Sequence, residues 1–189
     1  NNKKVIMKVL RPNVKKIMTQ DLEILESMAK SAEKFNKLAK RIRILALVKE
    51  AKRHMLNELD LMREAANACQ LRRNFKNSKL LYIPEIYWDY CSTNIMIMER
   101  IYGTPIYNIK ELKRQKVNMK LLAERGIEIF YTQVFRDCFF HADMHPGNLF
   151  VNTKNPNQPS FIAVDFGIIG TLNSKDQYYL ASNFIAFFK

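Results

Sequence analysis

Phe140-His141-Ala142-Asp143-Met144-His145-Pro146-Gly147-Asn148 and, a short way on, Val164-Asp165-Phe166-Gly167 decide how this chain of 189 residues reads. The first stretch holds two of the three histidines, and Pro146-Gly147 marks it as a loop rather than a helix. Residues 149–151 read as a strand, 152–160 as a turn-rich connection and 161–164 as a second strand, so a hairpin joins the two motifs. Carboxylates, an amide and imidazoles gathered on loops between strands are the equipment of a site rather than of a core.

Two mechanisms want such residues. Phosphoryl transfer needs positioned charge more than covalent chemistry. His-x-Asp-x-x-x-x-Asn, a hairpin and Asp-Phe-Gly have the spacing of a kinase catalytic loop followed by its metal-binding loop. Asp143 would then orient or deprotonate an attacking hydroxyl or water, and Asn148 and Asp165 would offer oxygens to Mg2+, a hard cation. A strand lysine, Lys8, would neutralise phosphates, and a helix carboxylate would fix that lysine. The other mechanism is a metal-dependent hydrolase with His141, Asp143, His145 and Asp165 as ligands, which His-x-Asp-x-His alone would permit. It leaves Lys8, Asn148 and the hairpin without a role. A polar loop in which His141 merely bonds the backbone is the bland alternative; two motifs in order, with the strand lysine, count against it.

Upstream, Val5-Ile6-Met7-Lys8-Val9-Leu10 reads as a strand stopped by Arg11-Pro12, with Lys8 on the face of Ile6 and Leu10. Thr19 is the expected N-cap of a helix. Leu22, Leu25, Met28, Ala32, Phe35, Ala39, Ile42 and Leu45 recur at helical steps, and a second stripe runs through Ala51, Met55, Met62, Ala65 and Cys69. Residues 13–83 contain no Gly or Pro before the end of that run, so they are expected to be mostly helical with at least one bend. Glu58 falls on the second stripe, where a carboxylate needs a partner. In a continuous helix Asp60 and Glu64 would share a face, with Glu58 well round from Glu64. Residues 81–88 and 94–98 look like an antiparallel hairpin, 99–105 like a connector between lobes, and 119–136 like a helix burying Leu122, Ile129, Val134 and Phe135.

Lys and Arg number 31 against 18 Asp and Glu, a formal charge of +13. The imbalance lies in residues 1–80, which hold 20 basic and 8 acidic residues, whereas 81–189 hold 11 and 10. Solvated helix faces or a surface meeting anionic lipid headgroups would both account for it. No nucleic-acid motif or row of interleaved aromatics accompanies the charge, so nucleic acid is not expected. No run approaches the roughly 18 apolar residues of a membrane span, and no secretory signal is present. Cys69, Cys91 and Cys138 are odd in number and far apart, which fits a reducing compartment.

The chain resembles the UbiB family of atypical protein-kinase-like ATPases. The resemblance rests on Val5-Ile6-Met7-Lys8-Val9-Leu10-Arg11-Pro12, Glu58-Leu59-Asp60-Leu61-Met62-Arg63-Glu64-Ala65, Met98-Glu99-Arg100-Ile101-Tyr102-Gly103 and the two motifs quoted first. Ordinary protein kinases carry arginine at the place of Ala142 and lack a long helical insertion after the lysine strand. The resemblance implies that Lys8 meets nucleotide phosphates and Glu64 pairs with it. It implies that Glu99 to Ile101 form the hinge to adenine, that Asp143 is the catalytic aspartate, and that Asn148 and Asp165 are metal ligands. Glu58 and Asp60 match the family's Glu-x-Asp motif, and His141 opens the catalytic string.

The resulting expectation is an α+β, protein-kinase-like bilobal fold truncated at both ends. Residues 1–98 would form a partial N-lobe, 99–105 the hinge and 106–189 a partial C-lobe. The family's Lys-x-Gly-Gln segment, its Ala-rich phosphate loop and its C-terminal hydrophobic helices are not among these residues. ATP and Mg2+ are the implied cofactors. The implied role is support of ubiquinone biosynthesis at the cytoplasmic face of the bacterial inner membrane, with a quinone-precursor lipid and other biosynthetic proteins as partners. A nucleotide-binding scaffold without required catalysis is the alternative. A kinase with a defined acceptor finds less support, since no Ala-Pro-Glu segment or long activation loop follows Gly167.

Overall fold

A computed structural model describes residues 3–188. Strand β1 (Val5–Val9) does form where alternation and Pro12 place it, and it pairs antiparallel with β3 (Ile95–Glu99), Lys8 opposite Met96. The chain then turns at Asn13, which adopts a left-handed backbone, into α1 (Val14–Phe35). Thr19 is not an N-cap. It sits inside α1, where its hydroxyl donates to the carbonyl of Lys15 at 2.7 Å. Asn36 ends α1 and caps α2 (Lys37–Ile42), and Arg43, left-handed in turn, leads into α3 (Ile44–Glu58).

α3 folds back on α1, fastened by Lys52 to Glu26 at 3.4 Å and by the Leu45 N–H to Glu33 at 2.9 Å. The expected apolar stripe is buried only in part. Of the first stripe Leu22 and Ala39 are inside, as is Ala29, which lies outside it, whereas Leu25, Met28, Phe35 and Ile42, with Met55 of the second stripe, face solvent. A pair of helices can bury only one side of each against the other.

The bend expected within 13–83 falls at several places, and the last decides the site. The helix breaks at Leu59-Asp60, so Asp60 becomes the N-cap of α4 (Leu61–Asn74), its carboxylate accepting the Met62 N–H at 3.0 Å. Glu58 consequently ends α3 as an exposed residue and not on a buried stripe, and Asp60 does not share a helix face with Glu64. α4 turns Leu61, Glu64, Ala65, Ala68 and Leu71 inward.

The hairpin expected from 81–88 and 94–98 forms only in its inner part, where the Tyr87 N–H donates to the Ile97 carbonyl at 2.9 Å and the Glu99 N–H to the Glu85 carbonyl at 2.8 Å. Pro84 is fully buried and has no N–H for a ladder, so the segment splits. Leu81–Tyr82 (β2) joins another sheet, and only Ile86 makes an isolated bridge to Met98 before a 3-10 turn at Trp88–Tyr90. β3 takes β1 as its partner over its whole length and keeps the short pairing with 85–87 besides.

After β3 come β4 (Thr104–Pro105), α5 (Ile109–Arg114) and α6 (Met119–Tyr131), which passes into a π-helical turn over Thr132–Arg136. Leu122, Ile129 and Val134 are buried; Phe135 is half-buried and stacks on Tyr131. Then follow β5 (Phe139–His141), the 3-10 turn Pro146–Asn148, β6 (Leu149–Asn152), β7 (Ser160–Ala163), β8 (Ile169–Thr171) and α7 (Ser174–Phe187). Strands β2, β7, β6 and β4 make one sheet in that order, while β5 pairs antiparallel with β8. Opposite Phe140 in that pair stands Gly170, where a Cβ would come within 2.3 Å of the Phe140 ring. One apolar cluster, from Leu61 and Met96 through Leu112 and Ile129 to Val151 and Phe166, binds these layers together.

Candidate active site

Three charged side chains from distant parts of the chain meet beside β1. The Lys8 Nζ donates to both carboxylate oxygens of Glu64, at 2.7 and 2.8 Å, and lies 3.3 Å from Asp165 Oδ2. Glu64 is only 3% exposed, and burying a carboxylate is costly unless it is paired and hydrogen-bonded. Besides the lysine it accepts the Phe166 N–H at 3.3 Å, which ties α4 to the Asp-Phe-Gly turn. Burial pulls the Lys8 pKa down, but the hydrogen bond and charge of Glu64, with Asp165 behind them, outweigh it and leave it above its ordinary value. The lysine is thus held as a cation with part of its surface still open.

Asp165 itself has a positive φ of 66°, a conformation that aspartate tolerates better than most residues. Its Oδ1 accepts the Gly167 N–H at 3.3 Å while Oδ2 faces Lys8. Phe166 is wholly buried, and its carbonyl accepts from the Asn67 side chain at 2.9 Å. The turn is therefore gripped on both sides by α4.

The catalytic-type loop is positioned from below by His141 and Gln133. His141 is buried; its Nδ1 accepts the Asp143 N–H at 3.2 Å, so the ring proton resides on Nε2. That Nε2 is buried without a hydrogen-bond partner among the described residues, while the ring lies 5.8 Å from that of Phe166. Burial pushes the imidazole pKa below its ordinary value, against the opposing pull of Asp165 and Asp143. Gln133, 1% exposed, accepts the His141 N–H at 2.8 Å. It reaches that place because the π-helical turn re-aims the end of α6. Gln133 and Asn67 were not among the residues singled out from sequence. An amide one turn beyond Ile129 in an apolar helical run was the available signal for Gln133.

Asp143 and Asn148 complete the loop. The Asp143 carboxylate is about half exposed and unburdened except for His145, whose Nε2 lies 3.8 Å away. Asn148 is buried; its amide nitrogen donates to the Asp143 carbonyl at 3.3 Å, leaving Oδ1 without a partner among the described residues. An amide oxygen and a carboxylate fit Mg2+, which keeps waters and takes phosphate oxygens instead of demanding a cage of side chains. No group of three His, Cys, Asp or Glu side chains converges as a metal site among the described residues. The His141 ring, with one nitrogen bonded to backbone and the other buried, is not offered to a metal as the hydrolase reading required.

Lys8, Glu58, Glu64, His141, Asp143 and Asp165 all line one cleft of about 190 Å³. Asp60, Asn148, Glu99 and Ile101 do not line it. Glu99 accepts from the Tyr82 hydroxyl and from the Glu85 N–H, so its side chain is committed to neighbouring backbone and ring. Ile101 has no hydrogen bond on its backbone N–H or carbonyl among the described residues.

The His141 geometry has a consequence for stability. With its pKa lowered in the folded chain, protonation favours the unfolded state, so stability is complete above about pH 6.5 and declines on acidification below it. Urea denaturation of the wild type and of His141→Gln from pH 7.5 down to pH 5 should show the wild type losing its advantage as pH falls. A difference independent of pH would contradict the buried, neutral imidazole.

Comparison with known proteins identifies the family of the chain. The model of the ABC1 atypical kinase-like domain matches residues 1–189. A protein of Blochmanniella pennsylvanica named "Probable protein kinase UbiB" is 55% identical over 188 residues, which is 100% of this chain and 34% of that protein. The protein of the same name from an Enterobacter species is 51% identical with the same coverage. The chain thus spans about a third of the length of these curated relatives. Among solved structures, Rv3197 of Mycobacterium tuberculosis, determined in complex with erythromycin, superposes with a TM-score of 0.71 over 89% of this chain and 41% of its own. At 21% identity that likeness speaks for the kinase-like fold alone. By fold and by sequence, this chain belongs to the ABC1 atypical kinase-like domain family.

Proposed function

We propose that this chain is the core of an atypical kinase-like ATPase that binds ATP with Mg2+ in the cleft between Lys8 and Asp143. The observation that carries the reading is the Lys8 ammonium held 2.7 Å from the buried Glu64 and 3.3 Å from Asp165. A cation fixed on a strand, with an acid behind it and a second acid in front, is prepared for a ligand that brings phosphate and a divalent metal together. Asn148 Oδ1 and the Asp165 carboxylate would hold the metal, which supplies charge neutralisation at the phosphates. The Ile101 backbone groups would receive adenine at the 99–105 hinge between the two lobes.

Asp143 is the group exposed to the cleft that can take a proton. As the oxygen of a water or hydroxyl bonds to the γ-phosphorus, its proton passes to the Asp143 carboxylate. The bond to the β-phosphate oxygen breaks, and ADP departs with that electron pair. Asn148 and His141 position Asp143, one through its carbonyl and the other through its N–H.

The resemblance to the UbiB family supports a role in ubiquinone biosynthesis, with a quinone-precursor lipid presented at an anionic membrane surface on the cytoplasmic side. Among the described residues no helix is long and apolar enough to cross a membrane. The α1–α3 helices do expose Ile24, Met28, Phe35, Leu38 and Leu47 in the basic half of the chain, which is suited to lying on lipid headgroups.

Calorimetric titration of the chain with ADP and ATP, with and without Mg2+, tests the nucleotide reading. Metal-dependent binding should weaken about tenfold or more in Asp165→Asn. Asp143→Asn should keep binding and lose turnover. Binding indifferent to Mg2+ and to Asp165→Asn would overturn the site, and undiminished biological function in Asp143→Asn would favour the scaffold. For the membrane part, flotation should recover more chain with anionic than with neutral vesicles; equal recovery would remove it.

A further inference from the structure

A second concavity lies on the other side of α4 from the cleft. At about 100° per residue, Ala66, Cys69 and Arg73 lie roughly 140–200° round the helix from Glu64. They form one wall of a cavity of about 620 Å³ whose remaining walls include Phe75, Ile83 and Trp88. A neighbouring cavity of about 540 Å³ shares Ser78, Leu81 and Tyr82 with it and continues to Asn152, Asn155 and Gln158. The two make one trench across β2, and neither shares a lining residue with the cleft of Lys8 and Asp143.

The trench has a marked chemical bias. Arg72, Arg73, Lys76, Lys79 and Arg125 line it, and no aspartate or glutamate does. None of these five forms an ion pair among the described residues. Arg72 donates to the Ile83 carbonyl and lies over the Tyr82 ring, Arg73 bonds Gln70, and Arg125 bonds Gln158 and the Pro159 carbonyl. The nearby Glu99 carboxylate is turned onto the Tyr82 hydroxyl and the Glu85 N–H. One end of the trench is aromatic and apolar, and the other carries amide side chains able to bond a peptide backbone. β2 ends its sheet, with β7 as its single strand partner among the described residues.

We propose that this trench is a docking groove for an extended, acidic peptide segment of a partner protein. Acidic side chains of the segment meet the five cations, an aromatic or branched apolar side chain enters between Phe75 and Trp88, and the amides of Asn152 and Asn155 bond its backbone. Two joined cavities of about 620 and 540 Å³ suit an extended chain better than a single small anion. The net positive field of the protein draws such a segment in and makes the association sensitive to salt.

Fluorescence polarisation with a labelled nonapeptide alternating Glu with Phe and Leu reads the proposal, with a Lys-for-Glu peptide as its counterpart. The acidic peptide should bind with micromolar affinity, weakening about tenfold or more in the double variant Arg73→Glu/Lys76→Glu. Trp88→Ala should weaken it as well, while the control Lys40→Glu/Arg41→Glu, with the same charge change on α2, should bind nearly as the wild type. The trench variants should leave flotation with anionic vesicles and titration with nucleotide unchanged. No binding of the acidic peptide overturns the proposal, and so does equal loss in the α2 control, which would mean unspecific charge attraction. Loss of vesicle flotation in Arg73→Glu/Lys76→Glu would overturn it too, because the basic face would then belong to a membrane.

Discussion

The structure turns on a buried carboxylate that has to be paired. Glu64 is carried into the interior on the inner face of α4, and only the Lys8 ammonium and the Phe166 N–H make that position tolerable. Three segments must arrive together for this to happen: the first strand, the fourth helix and the turn after β7. Asp165 joins from the same turn and shares the lysine. The ion pair thereby couples a strand whose apolar residues Val5, Ile6, Met7 and Val9 are all exposed to the main core, to which Phe166 and Leu61 both belong.

Around that constraint the polar loops are arranged by bonds to the backbone more than by bonds to one another. Asn67 holds the Phe166 carbonyl, Gln133 holds the His141 N–H, and His141 holds the Asp143 N–H. Each fixes a loop while leaving the chemically useful atoms open: the Asp143 carboxylate with only His145 at 3.8 Å, Oδ1 of Asn148 without a partner among the described residues, and the open side of Lys8. This is the economy expected of a site whose work is electrostatic, where charged groups must stand ready at fixed places and the ligand supplies the rest.

Much of this was legible in the sequence, because local rules govern it. The lysine strand, its stop at Pro12, the polar loop and the hairpin of β6 and β7 follow from alternation and from turn residues. The family resemblance pointed to Glu64 as the partner of Lys8, which residue spacing alone left open among Glu58, Asp60 and Glu64. What escaped depends on distant parts of the chain. The full-length partner of β3 is β1, some ninety residues earlier, and nothing local predicts that pairing beside the short one that 85–87 make. Pro84, read with more weight, would have divided that segment. Thr19 has the residue type of a cap, but an internal helical threonine satisfies its hydroxyl on the preceding turn, which leaves no trace in the pattern. A bend is legible within 13–83 but not its place at Leu59-Asp60, where an aspartate able to cap its own helix ends one and starts another.

The central claim is that the Lys8, Glu64 and Asp165 cluster, with Asn148 beside it, is where a metal–nucleotide complex sits. The most direct measurement is paramagnetic broadening of backbone amide signals when Mn2+ and ADP are titrated together into the isotopically labelled chain. The account predicts that signals of residues 142–148 and 164–167 broaden first, and that Asp165→Asn suppresses the effect. Broadening centred elsewhere, on His54 or along α1, or broadening unchanged by Asp165→Asn, would contradict it.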